Sequence, residues 1–176
     1  LEEARPALEE AGLDGQLIVP LDELCWVANL RGDQLPFQAT FKARGVALRD
    51  EVWLGTRVKP KRGAEPPAGV RVTSVRDWLE ALRVRAAEPG GLTLGYDPAT
   101  TTEGLRATLE AAGVTLKASP SPFAKMRVYK TPAELRHMGQ AFRRADEAVM
   151  KLQRWVSSQV DKGERVTEAD VAARMH

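Results

Sequence analysis

The chain has 176 residues, 43% hydrophobic and 28% charged, with 26 Lys and Arg against 24 Asp and Glu for a net charge of +2. This composition suits a globular core with a charged surface, and so even a balance excludes a general electrostatic pull toward nucleic acid or a membrane. A single cysteine, Cys25, rules out an intrachain disulfide, no apolar run approaches the roughly 20 residues that span a bilayer, and the acidic start Leu1–Arg5 lacks the apolar core of a signal peptide, so a cytoplasmic protein is expected.

Residues 2–11 place Ala4, Leu8 and Ala11 on one helical stripe that stops at Gly12. Gln16–Val19 reads as a short buried strand and Leu24–Asn29 as a second, followed by a turn at Arg31-Gly32-Asp33. Residues 40–48 and 51–57 read as two strands joined at Arg49-Asp50 in a hairpin. The Pro- and Gly-rich stretch Lys59–Gly69 reads as a loop, and Val70–Val72 as another strand. Residues 74–86 carry Val75, Trp78, Leu79 and Leu82 at helical spacing until Pro89-Gly90-Gly91 breaks the pattern. Leu92–Tyr96 is a strand, 99–112 a helix with Leu105, Leu109 and Ala112 inward, and Val114–Ala118 a last strand that Ser119–Pro122 cannot extend. Strands alternating with helices indicate an α/β sheet covered on both faces.

The next segment differs in kind. Thr131-Pro132-Ala133-Glu134 carries a Thr N-cap, Pro at the first helical position and Glu three residues after the cap. Leu135, Met138, Phe142, Ala145, Val149, Leu152, Val156 and Val160 then follow at spacings of three and four, predicting a helix of about 45 Å to residue 161. It reads as the opening of a new domain, so the boundaries expected are 1–128 and 129–176. A further helix starts at Thr167-Glu168-Ala169-Asp170 without a stop signal before His176, and the polypeptide is expected to continue.

No residue of this chain is assigned a catalytic or metal-binding role. Cys25 lacks a histidine partner and reads as a small core residue; His137 sits at the margin of the long apolar stripe and reads as a surface or interface histidine. One Cys and two distant His do not make a zinc site, and no glycine-rich phosphate loop is present. The basic run Arg57–Arg62 has no interleaved aromatics and reads as a solvated loop. One segment is unusual. Leu21–Asp33 packs Asp22, Glu23, Trp26, Asn29 and Arg31 around one element and its turn. It is either a strand with charged ends or a set of polar groups at the mouth of a cleft.

That stretch, Leu21-Asp22-Glu23 through Asn29-Leu30-Arg31-Gly32, resembles aminopeptidase P, the Xaa-Pro aminopeptidases of the creatinase/prolidase superfamily. The resemblance continues at Tyr96-Asp97-Pro98-Ala99-Thr100-Thr101, at Lys125–Leu135, and over residues 146–168 with Trp155, Gly163 and Thr167-Glu168. It covers nearly the whole chain in order, most loosely over 39–90. It implies a creatinase-type N-terminal α/β domain with a mixed sheet, then a long helix opening a pita-bread metallopeptidase domain that is cut short. It further implies removal of an N-terminal residue that precedes proline. Two divalent metals, usually Mn2+, would activate a water and polarise the scissile carbonyl. Their two Asp, one His and two Glu ligands are expected beyond residue 176. The chain begins at what matches the middle of three domains in the longer family members, so its parent is a two-domain version or has more chain in front.

In that family the front domain covers the cleft, often from the neighbouring subunit of a dimer. By resemblance, Asp22 is the candidate for the substrate's amino end, Arg31 for a substrate or interface carboxylate, and Trp26 for a pocket wall, with core packing as the alternative for Trp26. Asn29 and Asp33 are turn formers first. The implied partners are peptides with proline at the second position and a second copy of the chain. A metal-less peptide- or protein-binding relative, a prolidase-type dipeptidase and a creatine hydrolase are the competing readings. Asn29-Leu30-Arg31-Gly32 favours aminopeptidase P.

Overall fold

The computed structural model describes residues 1–59, 61 and 65–175. Part of the basic run Arg57–Arg62, namely Pro60 and Arg62, and His176 lie outside them. The described chain forms two compact units, one of Leu1–Val128 and one from Tyr129 onward.

In the first unit a 3-10 turn, Glu2–Ala4, leads into α1 (Arg5–Glu10) and β1 (Gly15–Ile18). Then come α2 (Leu21–Val27), β2 (Ala43–Leu48), β3 (Val52–Thr56), β4 (Val70–Thr73), α3 (Val75–Ala86), β5 (Thr93–Tyr96), α4 (Glu103–Ala111), β6 (Thr115–Ala118) and α5 (Pro122–Met126). The six strands form one sheet in the order β4-β3-β2-β1-β5-β6. β2 runs antiparallel to β1 and β3, while β1–β5, β5–β6 and β3–β4 pair in parallel. The sheet is therefore mixed, with β2 alone reversed, and the carboxyl ends of the other five strands share one edge of the layer.

Helices cover both faces because successive strand residues point to opposite sides. Leu17 joins Trp78 and Leu82 of α3 and Leu105 and Leu109 of α4 on one face. Its neighbour Ile18 joins Ala4, Leu24 and Ala28 and Phe123 of α5 on the other. Trp78, buried, donates its indole N–H to the Trp53 carbonyl at 3.1 Å, so its one polar atom is satisfied.

Two expectations change, and one element is added. Residues 24–29 are not a strand: Leu21, Leu24, Cys25 and Ala28 fall at i, i+3, i+4 and i+7, and Asp22 and Glu23 occupy the first turn, where the helix dipole favours carboxylates. The helix expected over 99–112 begins at Glu103. Before it, Asp97 turns the chain on itself: its side chain accepts the Ala99 N–H at 2.9 Å and its carbonyl the Thr101 N–H at 3.0 Å. After β6, Pro122 opens a short helix that seats Phe123 in the core.

In the second unit α6 spans Pro132–Asp161 and α7 Glu168–Met175. Thr131 and Glu134 form a reciprocal capping box, with the Thr131 hydroxyl accepting the Glu134 N–H at 3.2 Å and the Glu134 carboxylate accepting the Thr131 N–H at 2.8 Å. His137 is exposed, as are Leu135, Met138, Phe142, Val149 and Val160 on the same helix.

Candidate functional site

α2 and the segment behind it carry the three candidate residues. The helix lies close on the sheet because Gly45 of β2 has no side chain; a Cβ there would come within 2.2 Å of Leu24 Cδ1. Its end is a Schellman motif. The Leu30 N–H bonds the Cys25 carbonyl at 3.0 Å and the Asn29 N–H bonds the Trp26 carbonyl at 3.1 Å, with Asn29 in the left-handed region at φ 50°. Arg31 completes it: Nη1 donates to the carbonyls of Cys25 at 2.9 Å and Leu30 at 2.8 Å. Gly32 follows so close to Phe41 that a Cβ would sit 2.7 Å from the Phe41 Cβ. The Asn29-Leu30-Arg31-Gly32 stretch thus has a local structural task in ending α2 and turning the chain.

Asp22, in the first turn, has an exposed side chain and accepts from Arg127 Nη2 at 2.5 Å. That hydrogen bond holds its carboxyl below the usual aspartate range against a smaller opposing effect of burial. Its neighbour Glu23 is only 4% exposed. The Ser121 hydroxyl donates to Glu23 Oε1 at 2.5 Å, and Arg127 Nη1 stands 3.9 Å from Oε2. Burial is the larger influence and pushes the Glu23 carboxyl up, opposed by Ser121 and Arg127 and reinforced by the charges of Asp22 and Asp97. Asp22 and Glu23 follow β1, Asp97 follows β5 and Ser121 follows β6. The polar cluster therefore stands off the carboxyl ends of three parallel neighbours, where open α/β sheets place ligands. Glu23 and Arg127 stand in motif stretches that give them no site role, and Ser121 stands only in the stop after β6; Ser121 and Arg127 lie about a hundred residues from α2, and no local pattern connects them to it.

Trp26 is partly buried and packs against the core cluster of Ile18, Leu24 and Phe123. Cys25 is buried, and burial raises its thiol, which suits a core residue rather than a nucleophile. The three candidates do not converge. Arg31 borders a hollow of about 360 Å³ whose lining includes neither Asp22 nor Trp26. No group of three or more His, Cys, Asp or Glu capable of holding a metal occurs among the described residues. Nor is any helix among them long and apolar enough to cross a membrane.

Residues 1–134 match the family model of the creatinase/prolidase N-terminal domain. Among curated proteins, an uncharacterized peptidase of Schizosaccharomyces pombe is 25% identical over 177 residues, covering 99% of this chain and 29% of that protein. Aminopeptidase P2 of Arabidopsis thaliana is 25% identical over 202 residues, covering 97% and 28%. The chain thus spans less than a third of the length of these relatives. Among solved structures, an X-prolyl aminopeptidase from Caenorhabditis elegans, described as a cytosolic enzyme with a di-nuclear active site, superposes with a TM-score of 0.77 at 15% identity over 99% of this chain and 29% of that one. An Xaa-Pro dipeptidase from Bacillus anthracis does so with a TM-score of 0.71 at 19% identity, over 99% and 46%. At such identities the superpositions establish a shared fold.

Proposed function

Because the chain belongs to the creatinase/prolidase N-terminal domain family, we propose that it is the front part of a metal-dependent Xaa-Pro aminopeptidase, which removes an N-terminal residue preceding proline. The observation that carries this reading is the end-to-end match to a relative named as an aminopeptidase P, over 97% of the chain. Domains at 1–128 and 129–176 follow from the same reading, as do a cytoplasmic location and a homodimer in which this portion covers a cleft.

The residues described here do not fit a metal site, since no three potential ligands cluster. Two divalent ions, Mn2+ in this proposal, would be held by another part of the protein, where they would activate water and polarise the scissile carbonyl. This chain's own residues would bind and orient the peptide. Arg127 favours the Asp22 carboxylate and holds it below the usual aspartate range, and the exposed side of Asp22 suits the ammonium end of a substrate. Arg31 offers a guanidinium already fixed by two carbonyls, a preorganised donor for a carboxylate. Trp26, which does not line the hollow beside Arg31, would flank the peptide with the face it leaves out of the core.

The test uses the full-length protein with Mn2+ on peptides with proline at the second position, on dipeptides and on creatine. Cleavage of the longer peptides supports the proposal; exclusive dipeptide cleavage would make it a prolidase. Peptide binding without turnover would make it an inactive relative. Asp22→Ala is expected to raise KM about 5- to 30-fold with kcat little changed, as for a lost charge-assisted contact of about 1–2 kcal/mol to bound substrate. Unchanged kinetics would remove Asp22 from the site.

A further inference from the structure

The hollow beside Arg31 is apolar inside with charged groups at its rim. Leu30, Phe41, Val58 and Val72 form an apolar wall, contributed by the end of α2, the approach to β2, the exit from β3 and β4. Its volume of about 360 Å³ falls within the roughly 300–1,000 Å³ usual for small-ligand sites. The rim carries Arg31, Lys59 and Lys61 against Asp33 and Glu65. Lys61 pairs with Asp33 at 3.0 Å, which leaves Arg31 and Lys59 against Glu65 among the described residues of the rim.

Arg31 is the distinctive member. Its Nη1 is anchored on two backbone carbonyls, so the guanidinium plane is held without any acidic partner among the described residues. Its Nε and Nη2 hydrogens bond no acceptor there. A fixed guanidinium with unused donors at the lip of an apolar hollow is a recognition element for a carboxylate attached to an apolar body. Chain geometry favours such a seat, since the hollow lies off the carboxyl ends of β3 and β4.

We propose that this hollow binds the C-terminal end of a peptide whose last residue is apolar, the side chain against Phe41 and Val72 and the carboxylate on Arg31 and Lys59. The choice of a peptide rests on the peptidase reading, but binding is read without turnover. A protein that cleaves Xaa-Pro peptides and fails here loses only this site, and one that passes here while inactive loses only the activity.

Titration of the full chain with N-acetyl-phenylalanine, followed by saturation-transfer NMR, tests it. N-acetyl-phenylalaninamide, which lacks the charge, is expected to bind at least about tenfold more weakly. Val58→Trp, which fills the hollow from a position beyond the end of β3, should abolish binding. Lys59→Glu, on an exposed side chain that does not threaten folding, should weaken the acid about tenfold and leave the amide unchanged. Equal binding of acid and amide, or indifference to Lys59→Glu, would overturn the proposal. Hexanoate binding as tightly as the amino-acid derivative would overturn the peptide assignment.

Discussion

Asp22 and Glu23 are adjacent carboxylates pushed in opposite directions, one by a hydrogen bond from Arg127 and the other by burial. The consequence for Glu23 has a definite sign. A carboxyl whose folded value lies above its unfolded value binds its proton more tightly in the folded state. Stability is then highest below the unfolded value and declines as pH rises through the folded one. Glu23→Gln keeps an acceptor for the Ser121 hydroxyl and removes the buried charge. The variant is expected to match the parent near pH 4 and to melt higher at pH 7, where a gain of about 1 kcal/mol would read as about 2–4 °C. A variant that melts lower at pH 7 would mean that the attraction of Arg127 and Ser121 outweighs desolvation. None of this was legible in the sequence. Glu23 stood in a conspicuous stretch, but whether its carboxyl points into protein or water depends on Ser121 and Arg127, brought there only by the fold.

α2 shows why a short apolar run misleads. Read alone, residues 24–28 alternate poorly and carry Cys, Trp and Val, all at home in a strand. Two signals argued otherwise: the i, i+3, i+4, i+7 spacing from Leu21 to Ala28, and Asn29 followed by apolar Leu30, the residues of a Schellman stop. The length of α6 raised no such ambiguity, since its capping box and eight stripe positions agree. Asn29 is the sharpest probe of the helix end. Asn29→Gly should be neutral or slightly stabilising, because glycine adopts φ 50° without steric cost. Asn29→Val should cost about 1–2 kcal/mol by chemical denaturation, the penalty for a bulky residue in the left-handed region. Equal effects of the two would mean that the positive φ is not what the position requires.

At the scale of the whole molecule, the first unit closes its own core on both faces of the sheet, with α3 and α4 on one side and the N-terminal 3-10 turn, α2 and α5 on the other. The alternation of elements made that architecture readable without any contact information, and the family match over residues 1–134 agrees with it. The functional residues were less readable because they do not form one cluster. Asp22 is tied to Arg127, Trp26 to the core and Arg31 to the end of α2. A polar residue type signals that a group will want a partner; only the fold decides whether that partner is protein or ligand.

The second unit has no such closed core. No residue of α6 is buried, and Leu135, Phe142 and Val160 are each more than half exposed along it. For anyone preparing the chain, that row governs colloidal behaviour more than it governs folding. Exposed apolar patches drive association, so the elution volume of the 176-residue chain should fall with rising concentration, and Leu135→Ser with Phe142→Ser should restore concentration-independent elution. Monomeric behaviour of the parent at high concentration would show that the row is covered. Light scattering alongside the column separates the two outcomes in a single run.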